Sequence, residues 1–279
     1  MRLLIVDAYP REARKSLREA GGTEAGALYA RMLRELAPRV ESDVIHPADA
    51  DGVLPPGVSL ADYDGVTWTG SSLTIHSRDD DRVTRQVALV RACFDAGVPA
   101  FGSCWAAQVA AAAAGGACGP HPRGREFGVA RDITLSPAGR AHPLFADKPA
   151  VFDAFTSHTD HVTALPQGAT LLASNAWSDV QAFAVERAGT SFWAVQYHPE
   201  YDPGEVAALC RLRAQELVDQ ESFADLAAAE RYAAALDRMR AEPDCSELRK
   251  RLGMGDILLD PRLRTLETGN WLRQLVARS

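Results

Sequence analysis

The sequence predicts an α/β fold, a doubly wound and mainly parallel central sheet followed by a helical C-terminal extension. Three observations lead there. Short apolar runs alternate with helical patterns from the N-terminus to Gly116. Between residues 127 and 197 several strand patterns follow one another without a helix. From residue 203 onward the pattern is helical. Buried strands alternating with helices are the arrangement that builds parallel β-α units.

Residues 2–7 (RLLIVD) form a near-continuous apolar run, as a strand covered on both faces requires. A polar, glycine-containing stretch follows, to which no element is assigned. Next come a helix over 24–37 (EAGALYARMLRELA), a weaker strand over 43–46 and a Pro/Gly-rich connection, DGVLPPGVS. Gly65–Thr69 is the third strand. Residues 81–96 are a helix stopped at Gly97, since glycine enters the left-handed conformation that ends helices. Asp79-Asp80-Asp81 opens that helix, where carboxylates suit the positive end of its dipole.

Val98–Gly102 is the fourth strand, and Ala106–Ala114 is a helix closed by Gly115-Gly116. The strands GVARDITL, AVFDAF, ATLLA, QAFAV and SFWAVQY make up the mixed or antiparallel section. Asp202-Pro203-Gly204-Glu205 then reads as a helix start: a capping aspartate, proline at the first helical position and glutamate three residues after the cap. Three or four amphipathic helices are expected beyond it. Their core contacts are Leu209, Leu212, Leu217, Leu226, Tyr232, Leu236, Leu248, Leu252, Trp271 and Leu275. This divides the chain into a domain at 1–202 and an extension at 203–279 packed on it.

At 279 residues and 47 % hydrophobic content the chain can bury a full core. Its net charge of −7 argues against nucleic acid or an anionic membrane as partner. No apolar stretch approaches the roughly 20 residues of a membrane helix. The start MRLLIVD offers too short an apolar run for a signal peptide, so a cytoplasmic location is expected. The five cysteines include no C-x-x-C pair, which fits reduced thiols. Cys93 and Cys210 fall in helical patterns as buried fillers.

Cys104 differs from them. In GSCWAAQ (102–108) a strand ends in glycine, then Ser-Cys leads into a helix, so the thiol stands at a sharp strand-to-helix corner. Free N–H groups and the dipole of the helix favour a thiolate there. A thiolate nucleophile needs a histidine to move protons and a third group to orient it. Among seven histidines, His198 ends the apolar strand FWAVQY and precedes Pro199-Glu200, so Glu200 can fold back onto the imidazole.

Together, GSCWAAQ and QYHPE resemble the class I (triad) glutamine amidotransferases, with their G-x-C-x-G-x-Q elbow and late H-P-E. The resemblance covers residues 1–202 and includes TWTGSS (67–72), in place of the family's oxyanion loop, and FTSHTDHV (155–162), similar to its S-H-x-D-x-V stretch. It resembles stand-alone relatives of the GMP synthetase amidotransferase domain, and it implies a flavodoxin-like sheet. By resemblance Cys104 is the nucleophile, His198 the general acid/base and Glu200 its orienting partner. Backbone N–H groups of Trp105 and of the Gly70-Ser71 loop would hold the oxyanion. Gln108, Ser157 and His158 match positions that hold the amino-acid end of glutamine. Two departures stand out: Ala106 replaces the elbow's second glycine, and Thr69-Gly70-Ser71 replaces the family's Gly-Gly-Pro.

The implied chemistry is hydrolysis of a γ-glutamyl amide through a thioester on Cys104, without a cofactor. It supplies ammonia to a separate synthetase or ligase; the alternative is a stand-alone hydrolase releasing an organic amine from an N-substituted γ-glutamyl amide. A silent binding subunit is the third reading, opposed by the intact Cys104, His198 and Glu200. A homo-oligomer stays open. His158, Asp160 and His161 lack a further ligand for a metal site. His76, Arg78 and Trp177 read more simply as loop residues than as a substrate entrance.

Overall fold

The strand β1 (Arg2–Val6) sends alternate side chains into two cores. Leu4 and Val6 join Val66, Trp68, Phe192 and Ala194, whereas Leu3 and Ile5 join Phe101, Trp193 and Val195. Both faces are covered, so the run is apolar without alternation. The structure, a computed structural model, describes residues 1–77 and 79–278. The other strands are β2 (Glu41–Ile45), β3 (Gly65–Trp68), β4 (Ala100–Ser103), β5 (Ala117–Pro120), β6 (Glu126–Leu135), β7 (Val151–His158), β8 (Asp160–Ala164), β9 (Thr170–Ser174), β10 (Ala182–Arg187) and β11 (Thr190–Val195).

Nine strands form one sheet in the order β2-β1-β3-β4-β11-β10-β9-β6-β7. Pairing is parallel from β2 to β11 and antiparallel from there to β7. The β2-β1-β3-β4 order is that of a flavodoxin-like doubly wound sheet, with its crevice at the carboxyl ends of the strands. Register keeps those ends level: Val6 lies opposite Trp68, Trp68 opposite Gly102, and Ser103 opposite Val195.

The helices are α1 (Arg11–Glu19), α2 (Ala25–Leu36), α3 (Asp81–Asp95), α4 (Trp105–Ala114), α5 (Pro137–Ala141), α6 (Pro203–Leu212), α7 (Ala214–Asp219), α8 (Leu226–Ala241), α9 (Ser246–Leu252), α10 (Asp256–Leu259), α11 (Pro261–Arg264) and α12 (Leu266–Arg278). α3 and α4 cover one sheet face, while α2 and α12 cover the other. A third core joins α6 and α8 to Leu17, Leu28 and Phe155. α12 lies close to β3 and β4: Trp271 packs on Phe101 with ring centroids 5.9 Å apart. A Cβ on Gly65 would come within 2.8 Å of Leu275 and 2.9 Å of Trp271, so only glycine fits under that helix.

Several elements differ from the sequence reading. α1 occupies the stretch left without an element. Its buried residues are only Arg14 and Leu17, so it carries almost no apolar period. Arg14 anchors it instead, donating to Tyr9 O and Asp49. β5 and β8 form a separate antiparallel pair too short and too half-exposed to read in advance. The region after residue 202 holds seven helices among the described residues rather than three or four. Leu212 and Leu226, expected in the core, are 40 % and 52 % exposed. They sit at the last position of α6 and the first of α8, where the helix ends turn to solvent. Tyr232 and Leu252 are half-buried, and the other six named contacts are buried.

The structure also accounts for Ala106. A Cβ on Gly102 would lie 2.4 Å from the Ala106 methyl and 2.4 Å from Trp68 O, so the bare residue 102 leaves room for that methyl. Gly102→Ala should therefore cost about 1–3 kcal/mol through overpacking. Ala106→Gly should cost about 2 kcal/mol, the helix propensity difference plus the loss of a buried methyl, and keep any turnover. Urea denaturation of both variants checks this, and a neutral Gly102→Ala would refute the packing account. A second test concerns Glu267, fully buried and bound by Lys148 Nζ at 2.9 Å and Tyr197 OH at 2.5 Å. Lys148→Met strands that carboxylate, and should lower unfolding stability by about 3–5 kcal/mol in the same assay.

Candidate active site

Four loops meet at the carboxyl edge of the sheet, one after each of the adjacent strands β1, β3, β4 and β11. The one after β4 is a single residue. Cys104 takes φ 54° and ψ −102°, a conformation that side chains rarely adopt and that clusters at functional sites. Its N–H donates to Val195 O at 2.8 Å, tying the corner to β11, and its C=O accepts from Ala107 N at 2.9 Å to start α4. The Trp105 indole fixes the next position by donating to buried Gln86 Oε1 at 2.8 Å. The N–H of Trp105, the first residue of α4, lacks an acceptor within the helix.

After β11, His198 N–H donates to Phe155 O at 2.8 Å, and its Nδ1 lies 2.6 Å from Glu200 Oε1. Because the acceptor is a carboxylate, Nδ1 carries the proton and the opposite ring edge is left for Cys104. The ring stacks on Tyr201 with centroids 3.9 Å apart and planes within 5°. Glu200 Oε1 also accepts from Ser103 Oγ at 3.0 Å, which in turn is held by the Tyr29 hydroxyl at 2.8 Å. Both His198 and Glu200 side chains are 1 % exposed. Burial alone pushes the imidazole toward neutrality, but Glu200 and Cys104 outweigh it and lift its pKa to about 9. Burial pushes the thiols of Cys93 and Cys118 up to about 12 and that of Cys210 up to about 11, so these stay protonated.

The loop after β3 brings Gly70 against the pair. A Cβ there would meet His198 Cε1 at 2.8 Å and Cys104 Cβ at 3.7 Å. Ser71 Oγ donates to Ala8 O at 2.9 Å, anchoring this loop to the one after β1. Ser71, Cys104, Trp105, Gln108, Ser157 and His158 all line one cavity of about 190 Å³. Two of these side chains build its wall. Gln108 Nε2 donates to Asp160 O at 2.9 Å, and the His158 ring bridges Asp160 O at 2.9 Å and Glu126 Oε2 at 2.8 Å. Ser157 Oγ accepts from Arg213 Nη1 at 2.5 Å, and Ser157 O lies 4.0 Å from Cys104 Sγ.

The sequence reading missed Arg125, Asp160 as a cavity residue, Arg213 and Glu216. Arg213 and Glu216 belong to the α6–α7 corner, where their pattern reads as a solvated face. Tyr201 had a signal in its closeness to His198. His76 is half-exposed with Nδ1 3.4 Å from Asp160 Oδ2, whereas Trp177 stacks on His121 beneath Arg123 in a different cavity. Arg78 lies outside the described residues.

As for metals, both ring nitrogens of His158 are taken. The His/carboxylate group Asp7–Glu24–His46 is likewise satisfied. Asp7 accepts from Gly26 N and Tyr9 N, and Glu24 pairs with Arg14 and Arg18. Two guanidinium groups beside it disfavour a cation. Among the described residues no helix is long and apolar enough to cross a membrane.

Residues 53–211 match the family model "Glutamine amidotransferase class-I". The chain is 31 % identical over 279 residues to a γ-glutamyl-L-1-hydroxyisopropylamide hydrolase of a Pseudomonas species, covering 99 % of this chain and 93 % of that protein. It is 34 % identical over 188 residues to the glutamine-hydrolyzing GMP synthase of Nitrosomonas eutropha, covering 64 % of this chain and only 32 % of the synthase. Among solved structures it resembles a glutamine amidotransferase from Thermotoga maritima, with a TM-score of 0.63 at 17 % identity over 91 % of this chain and 99 % of that one. The chain belongs to the class I glutamine amidotransferase family.

Proposed function

We propose that the chain is a cysteine-dependent hydrolase that cleaves an N-substituted γ-glutamyl amide to glutamate and an organic amine. The observation that carries the substrate class is the extent of its likeness. The match to the amide hydrolase runs through the whole chain, extension included, whereas the match to GMP synthase covers about a third of that protein. The Cys104–His198–Glu200 geometry supports the chemistry.

The thiolate of Cys104 attacks the γ-carbonyl carbon, and the developing oxyanion is held by N–H groups of Trp105 and the Gly70-Ser71 loop. His198, protonated and oriented by Glu200, gives its proton to the departing amine as the C–N bond breaks. A γ-glutamyl thioester on Cys104 remains. His198, now neutral, takes a proton from water, the hydroxyl adds to the thioester carbonyl, and the C–S bond breaks to restore the thiolate and release glutamate. A second reading, release of ammonia from glutamine for a separate synthetase, is favoured by the likeness to GMP synthase.

Purified protein assayed for glutamate release from glutamine and from a panel of N-alkyl γ-glutamyl amides separates the two. The expected result is a higher kcat/KM for an N-substituted amide; glutamine as preferred substrate would favour the second reading. Cys104→Ser should lower turnover by at least about 10³-fold, and undiminished turnover would sink the mechanism.

The pH profile tests His198. A raised pKa means the proton needed by the leaving amine is held until about pH 9, so kcat/KM should fall as pH rises through that value. Glu200→Gln removes the carboxylate charge that does most to raise the pKa and should move the falling limb to lower pH. A limb that stays in place would show that Glu200 does not set the protonation of His198.

A further inference from the structure

We infer that Arg213, supplied by the helical extension, receives the α-carboxylate of the γ-glutamyl substrate and makes the extension part of the substrate site. This rests on the γ-glutamyl reading above and names the group that selects the glutamyl end.

Arg213 joins α6 to α7, just beyond residue 211, where the family model stops. Its guanidinium binds Ser157 Oγ at 2.5 Å, and the carbonyl of the same serine is 4.0 Å from the Cys104 sulfur. The charge therefore stands one residue away from the nucleophile, in the wall of the cavity that holds it. The other guanidinium of that wall, Arg125, is already neutralised by Glu216 at 2.7 Å. Among the described residues no carboxylate pairs with Arg213; the Ser157 and Tyr9 hydroxyls are its hydrogen-bond partners. A partly buried guanidinium left without a counter-ion in a cavity is a receptor for a planar anion, which it grips with two parallel N–H···O bonds.

The same cavity has an opposite pole. Asp160 Oδ2 is buried and makes no hydrogen bond, with His76 Nδ1 3.4 Å away. A guanidinium with no carboxylate partner and a carboxylate with one unbonded buried oxygen in one small cavity suit the zwitterionic end of an α-amino acid. A γ-glutamyl group carries that end two methylenes away from the carbonyl that Cys104 attacks.

The test compares L-γ-glutamyl-isopropylamide with N-isopropyl-4-aminobutanamide, which lacks only the α-carboxylate. Arg213→Gln should raise KM for the glutamyl amide by about 10- to 100-fold, the range for losing a charge-assisted hydrogen-bond pair, with a smaller change in kcat. It should leave KM for the decarboxylated amide unchanged, and Arg213→Lys should recover part of the loss. Equal losses on both amides would assign Arg213 to holding Ser157 and overturn the inference.

Binding reads the same contact without turnover. Calorimetric titration of L-glutamate and 4-aminobutanoate into Cys104→Ala and Cys104→Ala/Arg213→Gln proteins should show the affinity loss for glutamate only. Equal glutamate affinity in the two proteins would also overturn it. Failure of the parent protein to hydrolyse either amide would count against the hydrolase reading alone, since the titration still decides the role of Arg213. Melting curves confirm that each variant is folded.

Discussion

The hydrogen bond from Cys104 N to Val195 O is the contact on which the site depends. It extends the β4–β11 ladder by one residue past Ser103, at the point where β4 turns into α4. That bond holds a residue at φ 54° in place and fixes the distance to the chain that leaves β11 three residues before His198. Parallel register does the rest. Because β1, β3, β4 and β11 end level, their loops arrive at one edge and Gly70 packs on His198 without any long excursion of the chain. A one-residue slip would turn every side chain to the opposite face, and the separate cores on the two faces of β1 oppose it.

How the buried charges hold one another follows from the same packing. Glu200 Oε1 has His198 and Ser103 as partners, while Oε2 is buried with none. A carboxylate taken out of water is costly unless a cation faces it. Deprotonating His198 would leave that charge facing only neutral donors, the Nδ1–H and the Ser103 hydroxyl, so the ring keeps its positive charge and its pKa rises to about 9 despite burial. The linkage has a definite sign. A histidine held above its ordinary value contributes stability below about pH 6.5, and that contribution fades as pH rises through about 9. Stability and the protonation of His198 therefore draw on the same ion pair.

Much of this was legible because local sequence and global fold agree. The apolar run at β1, the cap at Asp202, the glycine after α3 and the elbow at Cys104 each declare themselves within a few residues. What escaped notice lacks a local signal. α1 is held by Arg14 reaching Tyr9 O and Asp49, contacts no periodicity encodes. Leu212 and Leu226 fit an apolar stripe by spacing, yet they fall at helix ends, and spacing says nothing about where a helix stops. Arg213 and Glu216 read as solvated helix residues because their partners, Ser157 and Arg125, are more than fifty residues distant in sequence. Ala106 departs from the family motif, and the motif alone does not show that Gly102, in β4, makes room for its methyl.

The helices after residue 202 grip the site from two sides. Glu267 of α12 binds the hydroxyl of Tyr197, the residue immediately before His198, and Lys148 neutralises that glutamate inside the protein. At the α6–α7 corner, Arg213 binds Ser157 beside Cys104. One contact lies behind His198 and the other beside Cys104, so movement of these helices would disturb both residues. Catalytic geometry tolerates little such movement, since a displacement of about 1 Å can cost on the order of 10²-fold in rate. The buried Lys148–Glu267 pair is an expensive way to gain stability, because apolar residues of similar volume would serve as well. Its placement next to Tyr197 makes positional specificity the better account of it: a charged pair has one geometry in which both desolvation costs are met, and that geometry sets the backbone leading into His198.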